Sequence, residues 1–205
     1  MQRALALNPG DTYILVQAAH LECRLDRIDE CINLYRQVVM LDPLSPGGHI
    51  GLGRAYYLAN RLEEATDSIL LGLSLNPGQG TAHYRLAFVL LAQGDAPGAL
   101  VAIEQETSDW RRLHGMAIVQ HALGNAVASE AALQAFIECC AAGADYQVAQ
   151  IYAFRDEIDH AFAWLEQAYD NRDTGLASMQ SHPLLANLHD DPRWEPFLDK
   201  MGLPH

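Results

Sequence analysis

Three prolines constrain the architecture more than any other feature of the chain. Pro9, Pro43 and Pro77 follow Asn8, Asp42 and Asn76, and each lies 34 residues beyond the one before it. A fixed period of this length marks a two-helix repeat. Proline has no N–H to donate and holds the residue before it in extended geometry, so the second helix of each unit must end there. Neither helix of such a unit can bury its apolar face alone. Units therefore stack on their neighbours and share one continuous core.

Residues 46–79 spell out a complete unit. Ile50, Leu52, Ala55, Tyr56 and Leu58 give a first helix over 46–58 with more than one buried side. Asn60 and Arg61 fall at a short turn, and Leu62, Ala65, Ile69, Leu70, Leu73 and Leu75 restart helical spacing. A connection that short requires antiparallel packing. The unit resembles the tetratricopeptide repeat (TPR). His49, Leu52-Gly53, Tyr56, Ala65, Ile69 and Pro77 stand at pattern positions 4, 7 and 8, 11, 20, 24 and 32. Residues 12–45 supply Leu15, Ala18-Ala19, Cys31, Tyr35 and Pro43 at such places, with Glu22 where an aromatic is usual. The unit from Gly80 supplies His83, Leu86-Ala87, Leu90, Ala99 and Ile103, with Arg111 in place of the closing proline.

Beyond Trp110 the register loosens. Residues 110–125 read as a first helix stopped at Gly124-Asn125, with Ala126–Cys140 as its partner. Tyr146–Phe154 and Ile158–Tyr169 read as a fifth pair, with Ala149, Tyr152, Ala161, Leu165 and Ala168 at repeat positions and Asp173 in the proline's place. The expected organisation is an array over 1–175: a partial repeat at 1–11, regular repeats at 12–45, 46–79 and 80–109, and two divergent repeats at 110–175. A capping segment at 176–205 follows, with Asp191-Pro192 expected to start its last helix and Gly202 to stop it. Residues 1–9 read as the end of a second helix whose partner is missing, which suggests a fragment or a covered start. The last third of the chain resembles blocks that close TPR arrays in bacterial multidomain regulators, where the array follows a cyclase, winged-helix or kinase domain. The fold class expected is all-α, a right-handed TPR solenoid of antiparallel helix pairs.

With 26 acidic residues against 13 basic ones, a formal net charge of −13 argues against nucleic acid and against a polybasic membrane contact. Cys23, Cys31, Cys139 and Cys140 show no C-x-x-C spacing. They read as free buried thiols and point to the cytoplasm. No signal peptide and no apolar run of membrane-spanning length is present in the sequence. There is no H-E-x-x-H, Walker loop, G-x-S-x-G or G-x-G-x-x-G. Glu157 and His160 have the spacing of a helical metal-ligand pair, but no second such pair exists and a solvated helix face explains them. His49 and His83 recur at one repeat position, which favours packing with a ring nitrogen hydrogen-bonded. No enzyme activity, cofactor or metal is expected.

The TPR resemblance implies a protein-interaction scaffold that holds a peptide in a concave groove lined by the first helices. Pattern positions 2, 5, 9 and 12 face that groove. Here they give Tyr13, Val16, His20 and Cys23, then Gly47, Ile50, Arg54 and Tyr57, then Thr81, Tyr84, Phe88 and Leu91, with Arg85 beside them. Arg54 and Arg85 are the candidates for a ligand carboxylate, and Tyr13, Tyr57, Tyr84 and Phe88 for apolar anchors. The residues of the family's chaperone-tail clamp are absent apart from Arg85. The alternative function is a regulatory or assembly segment of a larger protein, self-associating through its open N-terminal edge.

Overall fold

The computed structural model describes residue 3, residue 8, residues 10–140 and residues 143–203, and among them no strand occurs. The partial repeat read at residues 1–11 lies outside the described residues apart from Arg3, Asn8, Gly10 and Asp11. The chain divides into two compact units, residues 1–111 and 112–205.

Unit one holds three helix pairs: α1 (Thr12–Arg24) with α2 (Ile28–Leu41), α3 (Pro46–Leu58) with α4 (Leu62–Leu75), and α5 (Ala82–Ala92) with α6 (Ala96–Glu104). Short polar side chains start several of these helices. Asp11 accepts from the Tyr13 and Ile14 amides, Ser45 from Gly48 and Asp95 from Gly98. Each satisfies donors that have no partner inside the helix. Thr81, ahead of α5, makes no such bond. Glu106 caps α5 from the far end of the pair: its Oε2 accepts from the Tyr84 amide at 3.3 Å and its Oε1 from Ser108 at 3.0 Å.

Helix α7 (Asp109–Ala122) begins in unit one and continues into unit two, which further contains α8 (Ala126–Cys140), α9 (Asp145–Phe154) and α10 (Ile158–Asp170), then 3₁₀ turns at Thr174–Ser178 and Pro183–Leu188, then α11 (Trp194–Met201). Leu176, Met179, Leu185, Leu188, Trp194, Phe197 and Leu198 close over Ala149, Phe162 and Leu165 of the α9–α10 pair to form one core. Asp173 repeats the device of Glu106, accepting from the Tyr146 amide at 3.1 Å and from Gly175 at 2.8 Å. Buried Asp145, the first residue of α9, ties the pair at the same end, receiving Gln167 Nε2 at 2.8 Å and Asn171 Nδ2 at 2.7 Å.

All five pairs use one turn. Each connection has three residues, 25–27, 59–61, 93–95, 123–125 and 155–157. The middle residue is left-handed every time: Asp26, Asn60, Gly94, Gly124 and Asp156 have φ of 59°, 56°, 83°, 77° and 63°. The next amide donates back five residues at 2.9 Å, as Arg61 does to the Tyr56 carbonyl and Asn125 to Gln120. This is the Schellman closure, which satisfies carbonyls at the end of a helix. Gly, Asn and Asp are the residues that enter this region at least cost.

Several expectations are corrected. The thiols are not free: Cys23 bonds to Cys31 and Cys139 to Cys140. Cys23 ends α1 and Cys31 begins α2, and the tight turn brings their Cα atoms to 5.3 Å, inside the ordinary disulfide range. Cys139 and Cys140 occupy the end of α8. Cys23 therefore faces its own pair and not a groove. Asp191-Pro192 does not open α11. Asp191 instead clamps the Arg193 amide and guanidinium in a turn, and the helix begins at Trp194. Gly202, at φ 67°, stops it as expected. His49 Nε2 lies 2.8 Å from the Pro43 carbonyl oxygen, whereas His83 Nδ1 has no hydrogen-bond partner among the described residues. His160 pairs with Glu157 on an exposed face. Among the described residues no helix is long and apolar enough to cross a membrane.

Candidate functional site

Unit one contains a pocket of about 260 Å³ walled by first helices. Val16 and His20 come from α1, Gly47, Gly48, Ile50 and Gly51 from α3, and Arg85 from α5. Ser45 and the connection Gln79-Gly80-Thr81 form its rim, and Tyr35 of α2 enters from behind. The tyrosine reaches the pocket because residue 51 is glycine. A Cβ at that position would lie 2.1 Å from the Tyr35 ring, where no side chain can stand. Thr81 carries φ 73°, an unfavourable conformation for a β-branched residue, so the rim stores backbone strain of about 1–3 kcal/mol.

Among the described residues the lining contains no acid. Arg85 Nη1 donates to the Ile50 carbonyl at 3.2 Å. Burial, followed by repulsion from Arg54, pulls its guanidinium down to about 10. Arginine keeps its proton at that value. Arg85 is thus a half-buried cation beside a second cation. His20 sits edge-on to Tyr35 with ring centroids 5.9 Å apart. Burial, then Arg54, Arg85 and Arg24, lower its tendency to hold a proton.

Beside the pocket lies an aromatic cluster. Tyr84 packs edge-on to Phe88 at 4.7 Å and tilts against Trp110 at 6.3 Å, with the Arg111 guanidinium 5.0 Å above the indole. Burial raises the Tyr57 hydroxyl, and burial followed by Tyr57 raises Tyr84, so the two half-buried phenols stay neutral.

The structure thus gathers Val16, His20, Ile50 and Arg85 into one pocket, with Arg54 in electrostatic range. Tyr57, Tyr84 and Phe88 gather in the neighbouring cluster. Ile50, 2% exposed, serves as a wall of the pocket, while Phe88, 6% exposed, is buried in the cluster. Tyr13, 72% exposed, does not line the pocket. Sequence positions alone missed Tyr35, Trp110 and Arg111. The signal for Tyr35 was the pairing of a large residue with a glycine at the facing place of the next repeat.

Among solved structures the chain is similar to TTC0263, a thermophilic TPR protein of Thermus thermophilus, with a TM-score of 0.67 and 15% identity over 83% of this chain and 98% of that one. The chain has the TPR fold. A TPR protein of Parabacteroides merdae ATCC 43184 matches with a TM-score of 0.60 and 15% identity, over 96% of this chain and 86% of the other. YrrB, described as a TPR protein with an unusual peptide-binding site, matches with a TM-score of 0.52 and 20% identity, over 88% of this chain and 96% of that one. At these identities the likeness is one of fold. No family model matches the sequence. No curated protein matches it.

Proposed function

We propose that this chain is a non-catalytic protein-interaction module and that the pocket between α1, α3 and α5 receives an acidic group of a partner peptide. The observation that carries the reading is a half-buried Arg85, within electrostatic range of Arg54, in a pocket whose lining has no acid among the described residues. A carboxylate supplies the counter-charge that the lining lacks, and Arg presents a donor fork that matches it. The walls accept apolar side chains next to that carboxylate, and the half-buried Tyr57–Tyr84 pair with Trp110 offers a further aromatic surface. At about 260 Å³ the pocket falls below the roughly 300–1,000 Å³ of typical small-molecule sites, which suits one or two side chains of a longer ligand. The peptide-binding site named for YrrB supports the same use of the fold. Self-association through the N-terminal edge would involve residues 1–9, most of which lie outside the described residues.

The test is a peptide array in which each Glu or Asp flanked by Leu, Ile or Phe is matched with its Gln or Asn counterpart, probed with the whole chain. The acidic members are expected to bind. Arg54→Glu/Arg85→Glu, with helicity unchanged by circular dichroism, should weaken that binding more than about tenfold, as loss of a desolvated charge pair does. Equal binding of acidic and amide peptides, or binding unaffected in the double variant, would overturn the proposal.

A further inference from the structure

His20 is the one lining residue whose charge changes near neutral pH. Charged and titratable groups face it from every helix around it: Arg24 from its own helix, Tyr35 from α2, Arg54 from α3 and Arg85 from α5. None of these is an acid, and among the described residues the lining adds none. Protonating the imidazole would add a cation to a pocket that already holds Arg85 and lies within electrostatic range of Arg54 and Arg24. An oxyanion in the pocket reverses that balance. It screens the arginines from the ring and offers the imidazolium an acceptor.

We propose that His20 takes up a proton as an oxyanion enters the pocket, so that acidic ligands bind more tightly as pH falls from 8 towards 6. The inference rests on the reading that the pocket receives an acidic group, and it names the residue that sets the pH response. The free ring, pushed towards neutrality by burial and the arginines, agrees in direction. By linkage, a proton that the ligand stabilises must stabilise the ligand in return. Each unit by which the ligand raises the His20 midpoint increases affinity by up to roughly tenfold across the titration.

The probe is sodium sulfate, an oxyanion whose own charge is constant between pH 5 and 8. The His20 ring signals of the full chain are followed by NMR against pH, with and without sulfate. The midpoint is expected below the ordinary histidine value without sulfate and higher with it. In Arg54→Gln/Arg85→Gln it should start nearer the ordinary value, and sulfate should not move it. A His20 midpoint unmoved by saturating sulfate, or insensitive to the double substitution, would overturn the inference. A capped acidic peptide then separates this inference from the reading beneath it. Affinity several-fold higher at pH 6 than at pH 8, flat in His20→Gln, supports both. Binding with the same pH profile in His20→Gln overturns the coupling and leaves the acidic-partner reading intact. A sulfate-induced rise in the His20 midpoint with no peptide binding supports the coupling and removes the peptide.

Discussion

His114 makes the stability of unit two depend on pH by an amount that can be worked out. The ring is 0% exposed and packs edge-on against Phe136 at 5.6 Å. Burial pulls its pKa down to about 3, with a backbone hydrogen bond to Gln147 opposing. In the unfolded chain the same ring titrates near the ordinary value of 6.5. Between those values the unfolded state binds a proton that the folded state refuses, so stability rises with pH through that window and is lost as pH falls. From pH 8 to pH 5.5 the loss is about 1.4 kcal/mol, reaching about 5 kcal/mol below pH 3. The upper interval is the practical one, because the sequence pI is about 4.9 and solubility falls near it. The assay is urea unfolding followed by tryptophan fluorescence, with Trp110→Phe as background so that Trp164 and Trp194 report unit two. His114→Leu keeps an apolar side chain of similar size and cannot titrate. Its absolute stability is immaterial, because the remaining titrating groups cancel in the difference between the two pH profiles. The parent should lose about 1.4 kcal/mol more than the variant between pH 8 and 5.5, with unchanged denaturant slopes. Parallel profiles within about 0.5 kcal/mol would show that His114 protonates in place, and the argument from burial would fail.

Three further outcomes follow from particular contacts. At Gly53 a Cβ would lie 2.5 Å from the Ile69 side chain and 2.9 Å from the Ala65 carbonyl, so Gly53→Ala should destabilise unit one by about 1–3 kcal/mol in chemical denaturation. Asp173→Ala removes the acceptor for the Tyr146 and Gly175 amides and should cost unit two about 1–2 kcal/mol, while Asp190→Ala, at an exposed site, should cost less than about 0.5. Reducing the Cys23–Cys31 bond, which spans a sequence separation of 8, should lower unit-one stability by about 2–3 kcal/mol, and the reductant should have no such effect on Cys23→Ser/Cys31→Ser.

The regular part of the fold was legible because its rules are local. The proline period and apolar spacing place the helices at 46–58, 62–75 and 126–140, where the structure has them. What could not be read depends on how backbones approach one another. Tyr35 belongs by sequence to the packing face of a second helix, and only the missing Cβ of Gly51 lets its ring reach the pocket. Glu106 and Asp173 looked like unremarkable acids in units that had lost their closing proline. Each in fact caps the first helix of its pair from a distant point in the chain, Glu106 reaching back 22 residues to Tyr84. The disulfide at Cys23 and Cys31 escaped because eight residues of sequence say nothing about a turn that folds them to 5.3 Å. The pocket itself was half visible. Repeat positions picked out Val16, His20, Ile50 and Arg85, but not that Phe88 would be buried in the neighbouring cluster or that Tyr13 would stand outside the pocket.

The uniform three-residue turn bears on how the chain acquires its structure during synthesis. Each pair closes on itself as soon as some thirty residues are available, with no distant segment needed to set its register. Contacts of such short sequence separation carry little loop-closure entropy and favour rapid folding. A nascent chain can therefore complete one hairpin before the next has left the ribosome, and each finished hairpin offers a template surface to the one that follows. The left-handed residues at 26, 60, 94, 124 and 156 act in this sense as punctuation for vectorial folding. A substitution that abolishes one of them should delay every pair downstream of it more than any pair before it.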